Sequence, residues 1–305
     1  NYRMNSEIKI GSEIKLGTTS LVLGNKYFQE YVPPIKNKLL KITRILDRHN
    51  EFKHLGLIRT IDNYNDYYSI PDDITFSIKP GDPFYEYIKR IVDDKKTKIF
   101  TSPLHYFFIN NAGDKELLDT IIDIETKYDY PFWKSYKNIL NFSKTIMESI
   151  GFLHDKKICH LDIKPENIMV DTKTGKFKII DFGFASLEPF YDYIYDTRGT
   201  PGYFPKYYPN DKTGSWLPRV EALDMIKVDG KIPIQKDYKQ VYKIDSYCFG
   251  RVLYFLKYIY KENAVYMCFN RERADDIMLD EIINSLIEKD PYKRITIKEC
   301  LKRFF

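Results

Sequence analysis

His160-Leu161-Asp162-Ile163-Lys164-Pro165-Glu166-Asn167 is followed by Ile168-Met169-Val170, the turn Asp171–Lys176 (DTKTGK), Phe177-Lys178-Ile179-Ile180 and Asp181-Phe182-Gly183. This stretch decides how the chain is read. Two short apolar runs flank a polar turn that contains glycine, which is the pattern of a β-hairpin. The hairpin joins two groups of polar residues, Asp162, Lys164 and Asn167 on one side and Asp181 on the other. The plainer reading is that HLD and DFG are unrelated loop residues. Two short motifs in this order and spacing, linked by strand, turn and strand, argue against it.

Upstream, Ile139, Phe142, Ile146, Ile150 and Leu153 recur at helical spacing and predict a long buried helix. Downstream, residues 245–260 and 280–289 read as helices, and Thr296-Ile297-Lys298-Glu299 is a capping-box start for a last one. The first third reads differently. Residues 8–23 give two short strands around a Gly/Thr/Ser turn, Asn37–Arg44 an apolar strand, and Leu104–Ile109 another. His49–Ile61 reads as a helix because Phe52, Leu55 and Ile58 share one face. The charged stretch 75–103, with Asp93-Asp94-Lys95-Lys96, reads as an irregular surface insertion. Strands first and helices after predict an α+β fold in two segregated lobes, residues 1–112 and 113–305. A second insertion is expected near 207–240.

Composition narrows the function. The 305 residues carry a net charge of +5, from 48 basic and 43 acidic side chains, and 43% are hydrophobic. Such a chain builds ordinary cores, and its mild excess of positive charge does not single out nucleic acid as a partner. Cys159, Cys248, Cys268 and Cys300 form no CxxC pair, so neither a disulfide framework nor a zinc site is expected, and a reducing intracellular setting fits. No run approaches the roughly 18 apolar residues of a membrane span, and the opening NYRMNSEIKIG lacks the apolar centre of a signal peptide.

The polar residues of the decisive stretch match one chemistry. Phosphoryl transfer needs a carboxylate to orient and deprotonate the attacking hydroxyl, oxygen ligands for Mg²⁺, and a cation near the moving phosphate. Asp162, Asn167 with Asp181, and Lys164 supply them. The run resembles the catalytic loop and magnesium loop of eukaryotic-type protein kinases, HRDxKxxN and DFG. Gly199-Thr200-Pro201-Gly202-Tyr203, Asp245-Ser246-Tyr247-Cys248-Phe249-Gly250 and Asp290-Pro291-Tyr292-Lys293-Arg294 resemble further signatures of that family. The resemblance covers about residues 104–303 well and 8–70 weakly. It implies a bilobal kinase-like fold, with a small antiparallel-sheet lobe, a larger helical lobe and ATP between them.

By that resemblance Asp162 is the catalytic base, Lys164 contacts the γ-phosphate, and Asn167 and Asp181 hold Mg²⁺ (or Mn²⁺). Lys164 with Thr200 is the serine/threonine form, so protein hydroxyls are the implied substrates. Leu104–Ala112 resembles the last small-lobe strand and hinge. Ile109 is then the gatekeeper, and the backbone of Asn110–Ala112 meets adenine. Glu116 stands where the family often places a ribose-binding acid; a solvated surface carboxylate is the equal alternative. The family's small-lobe lysine has two candidates. Prolines just before Lys36, in PPIK, would break a central strand, so Lys41 in LLKI is chosen, with Glu51 as its partner. Two solvated charges are the alternative for that pair.

Departures from the family are as informative. Only Gly17 stands in the phosphate loop LGTTSLVLG, where the family has three glycines. Leu161 replaces the arginine before the catalytic aspartate. Phe204-Pro205-Lys206-Tyr207 stands where APE is expected, leaving Arg294 without its usual glutamate; Glu221 is a substitute to consider. Asp196 occupies the position usually phosphorylated, which implies activity without loop phosphorylation. His54 and His105 have no evident partners in the sequence. A pseudokinase scaffold is the alternative function, supported by the poor glycine loop and altered APE; a small-molecule kinase is a third, opposed by the GTPGY segment and Lys164. The LLKI/NEF small lobe, the missing arginine and the richness in Asn, Lys, Ile and Tyr resemble kinases of large DNA viruses. That implies host cytoplasm or virion as the setting.

Overall fold

In a computed structural model the structure describes residues 8–9, 14–16, 20–44, 55–72, 76–92, 104–127, 133, 135–187, 193–194, 200, 202–205, 207–209, 216–218, 232–233, 238–264, 273–290 and 292–305. The chain divides into two compact units, residues 1–52 with 69–111, and residues 53–68 with 112–305.

The first unit is built on an antiparallel sheet. Its strands are β1 (Ile8–Lys9), β2 (Ile14–Leu16), β3 (Ser20–Leu23), β4 (Lys38–Arg44), β5 (Phe76–Ile78) and β6 (Leu104–Asn110), in spatial order β1-β2-β3-β4-β6-β5. Residues 8–23 therefore hold three strands where the sequence showed two. In β4, Leu40 and Ile42 alternate with Lys41, and across the ladder they oppose Phe108 and Tyr106 while Lys41 opposes Phe107. Period-two alternation puts Leu40, Ile42, Leu104 and Phe108 on one face, and these side chains form the core of the unit. Lys41 and Phe107 lie on the opposite face.

The stretch 75–103 is not irregular surface where it is described. Phe76–Ile78 is the edge strand β5, and Pro83–Ile91 is a helix whose Phe84, Tyr85 and Ile88 are buried in the core. Pro83 opens the helix, where its missing N–H costs nothing, and Lys89 and Arg90 close it at the negative end of the dipole. Glu86, Lys89 and Arg90 occupy the helix's exposed face, and Asp93–Lys96 lie outside the described residues.

The second unit holds helix α1 (Tyr64–Tyr67), numbered before the Pro83–Ile91 helix α2, then α3 (Leu117–Lys127), α4 (Tyr136–Asp155), α5 (Tyr238–Ala264), α6 (Arg273–Leu286) and α7 (Ile297–Phe304). Of the helix expected over His49–Ile61, residues 55–58 are helical and 59–63 turn; Leu55 and Ile58 are fully buried. α4 follows the expected periodicity, with Ile139, Phe142, Ile146, Ile150 and Leu153 all at 0% exposure. α7 carries the predicted capping box between Thr296 and Glu299. Where α5 crosses α6, a Cβ on Gly250 would stand 2.7 Å from Leu286 and Ile287 side-chain atoms, so only glycine permits this approach. A small sheet, β10-β9-β7, joins β7 (Lys115–Glu116), β9 (Ile168–Asp171) and β10 (Lys176–Ile179). β9 and β10 form the expected hairpin, and β8 (Ile158–Cys159) precedes it. In the region of the second insertion, Tyr207–Pro209 pairs with Trp216–Pro218. Among the described residues no helix is long and apolar enough to cross a membrane.

Candidate active site

The site grows from the start of the β9–β10 hairpin. Pro165–Asn167 is a single 3₁₀ turn entered from Lys164, and it delivers Asn167 directly into β9. At the other end of the hairpin the Ile180 amide donates to the Asn167 carbonyl at 3.0 Å, which fixes the start of the Asp181 segment against the loop. The hairpin thus brings together the two polar groups that the sequence separates.

Asp162 is the centre of this cluster and is 5% exposed. The Asn167 side-chain amide donates to its carbonyl and to its Oδ2, at 2.8 and 2.9 Å. Thr200 donates its hydroxyl to Asp162 Oδ1 at 2.9 Å. Lys164 Nζ donates to the same Thr200 hydroxyl at 2.9 Å and lies 3.2 Å from Asp162 Oδ2. Burial pushes the Lys164 ammonium down, but the charges of Asp162 and Glu166 outweigh this and raise it above the ordinary lysine value. Burial pushes the Glu166 carboxyl up.

A second layer holds this loop from beneath. Asp245, at 0% exposure on α5, accepts from the amides of His160 and Leu161 at 2.9 and 2.8 Å and pairs with His154 Nε2 at 2.9 Å. His154, Cys159 and Asp245 place metal-binding atoms within 4.8 Å of one another, yet both Asp245 oxygens are already taken by amides. The cluster therefore reads as a structural bracket. Leu161 is buried at 1% exposure with φ of +63°, a left-handed conformation rare for a branched residue. The bracket supplies what holds it there. His160 accepts the Asp162 amide at Nδ1 and donates from Nε2 to the Ile180 carbonyl, so its neutral tautomer is set by its partners.

The other predicted positions fall as follows. Asp181 is exposed, with φ of +60°. Asn167 has its amide nitrogen committed to Asp162, which turns its oxygen elsewhere. That oxygen and the Asp181 carboxylate are hard donors of the kind Mg²⁺ takes, so the residues present fit the ion. Lys41 lies within the β4 ladder, while Lys36 is exposed in the preceding turn. Ile109 is half-buried opposite Leu39. The Asn110 carbonyl accepts the Ser69 hydroxyl at 2.5 Å, and Ala112 is buried. Glu116 is only 7% exposed and pairs with Met169 across β7–β9, so it is not a solvated surface carboxylate. His105, without evident partners in the sequence, lies 3.2 Å from the Ser77 hydroxyl. Gly17, Glu51, His54, Asp196 and Glu221 lie outside the described residues. Sequence reasoning gave no role to Asp245 or His154, whose partners lie on distant segments.

Parts of the chain are similar to known proteins. Residues 89–208 match the protein kinase domain. The chain is 24% identical over 283 residues to the serine/threonine-protein kinase ppk34 of Schizosaccharomyces pombe, covering 84% of this chain and 71% of that protein. It is 43% identical over 105 residues to the serine/threonine-protein kinase pim-2 of Danio rerio, 32% of each chain. It is 28% identical over 203 residues to the probable serine/threonine-protein kinase HSL1 of Saccharomyces cerevisiae, 63% of this chain and 12% of that one. The chain thus spans a third or less of the length of two of these relatives. The fold is α+β, of the protein kinase kind, and the similarity is to eukaryotic-type kinases.

Proposed function

We propose that the chain is a serine/threonine protein kinase that transfers the γ-phosphoryl group of ATP, as its Mg²⁺ (or Mn²⁺) complex, to protein hydroxyls. The observation that carries this reading is the single hydrogen-bonded cluster of Asp162, Asn167, Lys164 and Thr200. Asp162 is the base: its carboxylate, steadied from two sides, accepts the hydroxyl proton. Lys164 lies beside it as a fixed cation for the phosphate oxygens. Asn167 and Asp181 would hold the metal ion, which neutralises phosphate charge when bound. Lys41, paired with Glu51, would hold the other phosphates, and Glu116 the ribose. Thr200 bridging Lys164 and Asp162 leaves a shallow place for a short hydroxyl, which favours serine and threonine over tyrosine.

Activity without loop phosphorylation belongs to the same reading. The family's arginine would grip a loop phosphate; Leu161 is apolar and buried, and Asp245 holds its backbone. In a radiolabelled ATP assay on generic protein substrates, Asp162→Asn should cut turnover by about 10²–10⁴-fold with ATP affinity unchanged. Phosphatase-treated wild-type protein should keep its activity, and phosphoamino-acid analysis should give phosphoserine and phosphothreonine. Wild-type turnover in Asp162→Asn would remove the mechanism.

A further inference from the structure

Tyr68 has no part in the reading above, yet it is a large side chain at 0% exposure. It lies just after α1, in the second unit, and contacts three separate elements of that unit. Its backbone bridges in parallel to Ile179, the last residue of β10. Its ring meets Phe182 edge-on, with centroids 5.9 Å apart and planes at 75°. Its hydroxyl donates to the Ser149 carbonyl in α4. Phe182 is 2% exposed and packs on its other side against His160, at 4.9 Å.

These contacts bracket Asp181. Ile179 lies two residues before it and Phe182 one residue after. Asp181 itself is exposed and left-handed, a conformation that aspartate enters more readily than most residues. Its flanks are what Tyr68 ties to α4. Burial pushes the Tyr68 hydroxyl well above the ordinary tyrosine value, so it stays a neutral donor.

We infer that Tyr68 is a positioning residue for Asp181: it clamps Ile179 and Phe182 to α4 and so sets the carboxylate where a divalent cation on the nucleotide meets it. The identity of the ligand rests on the kinase reading; the clamp rests on the three contacts. A residue that merely filled the core would lower stability on substitution and leave the metal requirement unchanged. A positioning residue moves the metal requirement.

The test uses the full chain as wild type, Tyr68→Phe, Tyr68→Ala and a stability control, Ile282→Val, in the buried face of α6. Binding of a fluorescent ATP analogue is measured by anisotropy in EDTA and across a Mg²⁺ titration, well below each melting temperature. Tyr68→Phe should leave metal-free binding unchanged and raise the Mg²⁺ midpoint by about tenfold, the low end for loss of a group that orients a metal ligand. Tyr68→Ala should raise it further, and Ile282→Val should not move it. A wild-type midpoint in Tyr68→Phe overturns the inference, and so does an equal loss of metal-free and metal-bound affinity. Tyr68→Phe decides the matter even if Tyr68→Ala does not fold. If the midpoints shift as expected but the wild type transfers no phosphate to protein, the kinase reading fails and the clamp stands. If the wild type shows no Mg²⁺-dependent nucleotide binding, the clamp falls with it.

Discussion

Replacing Asp245 by asparagine keeps the shape of the side chain and removes one acceptor. Oδ2 takes the His160 amide and His154 Nε2, both at 2.9 Å, and Oδ1 takes the Leu161 amide at 2.8 Å. An asparagine oxygen in the Oδ2 place keeps the first two and turns its NH₂ against the Leu161 N–H, donor against donor. Losing a hydrogen bond to a charged group costs about 1.5–3 kcal/mol, and stranding a buried N–H costs about 1–3 kcal/mol. Allowing for relaxation, the expected loss is about 3 kcal/mol, or ~6–12 °C in Tm for a cooperative unit of about 150–250 residues. The damage centres on Leu161, whose left-handed backbone adjoins Asp162, so kcat should fall well below the melting transition too. The pH dependence adds a sign. Burial alone would raise the Asp245 carboxyl, but the hydrogen bonds from His154 Nε2 and the His160 amide outweigh it and hold it below the ordinary carboxylate value. A depressed folded pKa gives stability that is fully present above the unfolded value and lost as pH falls through the folded one. The calorimetric gap between wild type and Asp245→Asn should therefore be constant from about pH 5 to 8 and narrow only below about pH 3.8. Equal Tm values at neutral pH, or a gap that closes on the alkaline side, would refute the bracket.

A Cβ at position 113 would stand 2.5 Å from the Val170 carbonyl oxygen and 2.6 Å from its carbon, backbone atoms held in the β7–β9 ladder. Gly113→Ala should cost about 1–3 kcal/mol in urea unfolding, and an unchanged midpoint would show that β9 yields freely there. Lys41→Met should raise the ATP KM or lower kcat strongly, while Lys36→Met, in an exposed turn, should do little; the reverse ranking in steady-state kinetics would mean that the phosphate-binding lysine was assigned to the wrong position.

What the sequence disclosed depended on how far apart the partners lie. Asp162 and Asn167 are five positions apart, and the DTKTGK turn returns the chain to them within one hairpin, so local pattern was enough to assemble the cluster. α4 was legible because its five apolar residues keep helical spacing across the whole helix. The α2 helix was not, because Asp82, Glu86, Lys89 and Arg90 dominate a short segment in which Phe84, Tyr85 and Ile88 alone mark the buried side. β5 spans three residues, too few for alternation to register. Glu116 was evenly balanced because a two-residue strand leaves no pattern, and its burial follows from pairing with β9. The supports of the site are the furthest removed: Asp245 meets His160 across 85 positions, and Tyr68 meets Ser149 across 81. Those separations have a physical meaning. The short hairpin sets the place of Asp162 and Asn167 before it and of Asp181 after it, and Leu161 and Asp181 are both left-handed. Helices elsewhere in the chain tie the backbone there: α5 through Asp245 at Leu161, and α4 through Tyr68 at the neighbours of Asp181. With Leu161 buried and apolar, the loop that carries Asp162 is held from below by the hydrogen bonds that Asp245 accepts from the His160 and Leu161 amides.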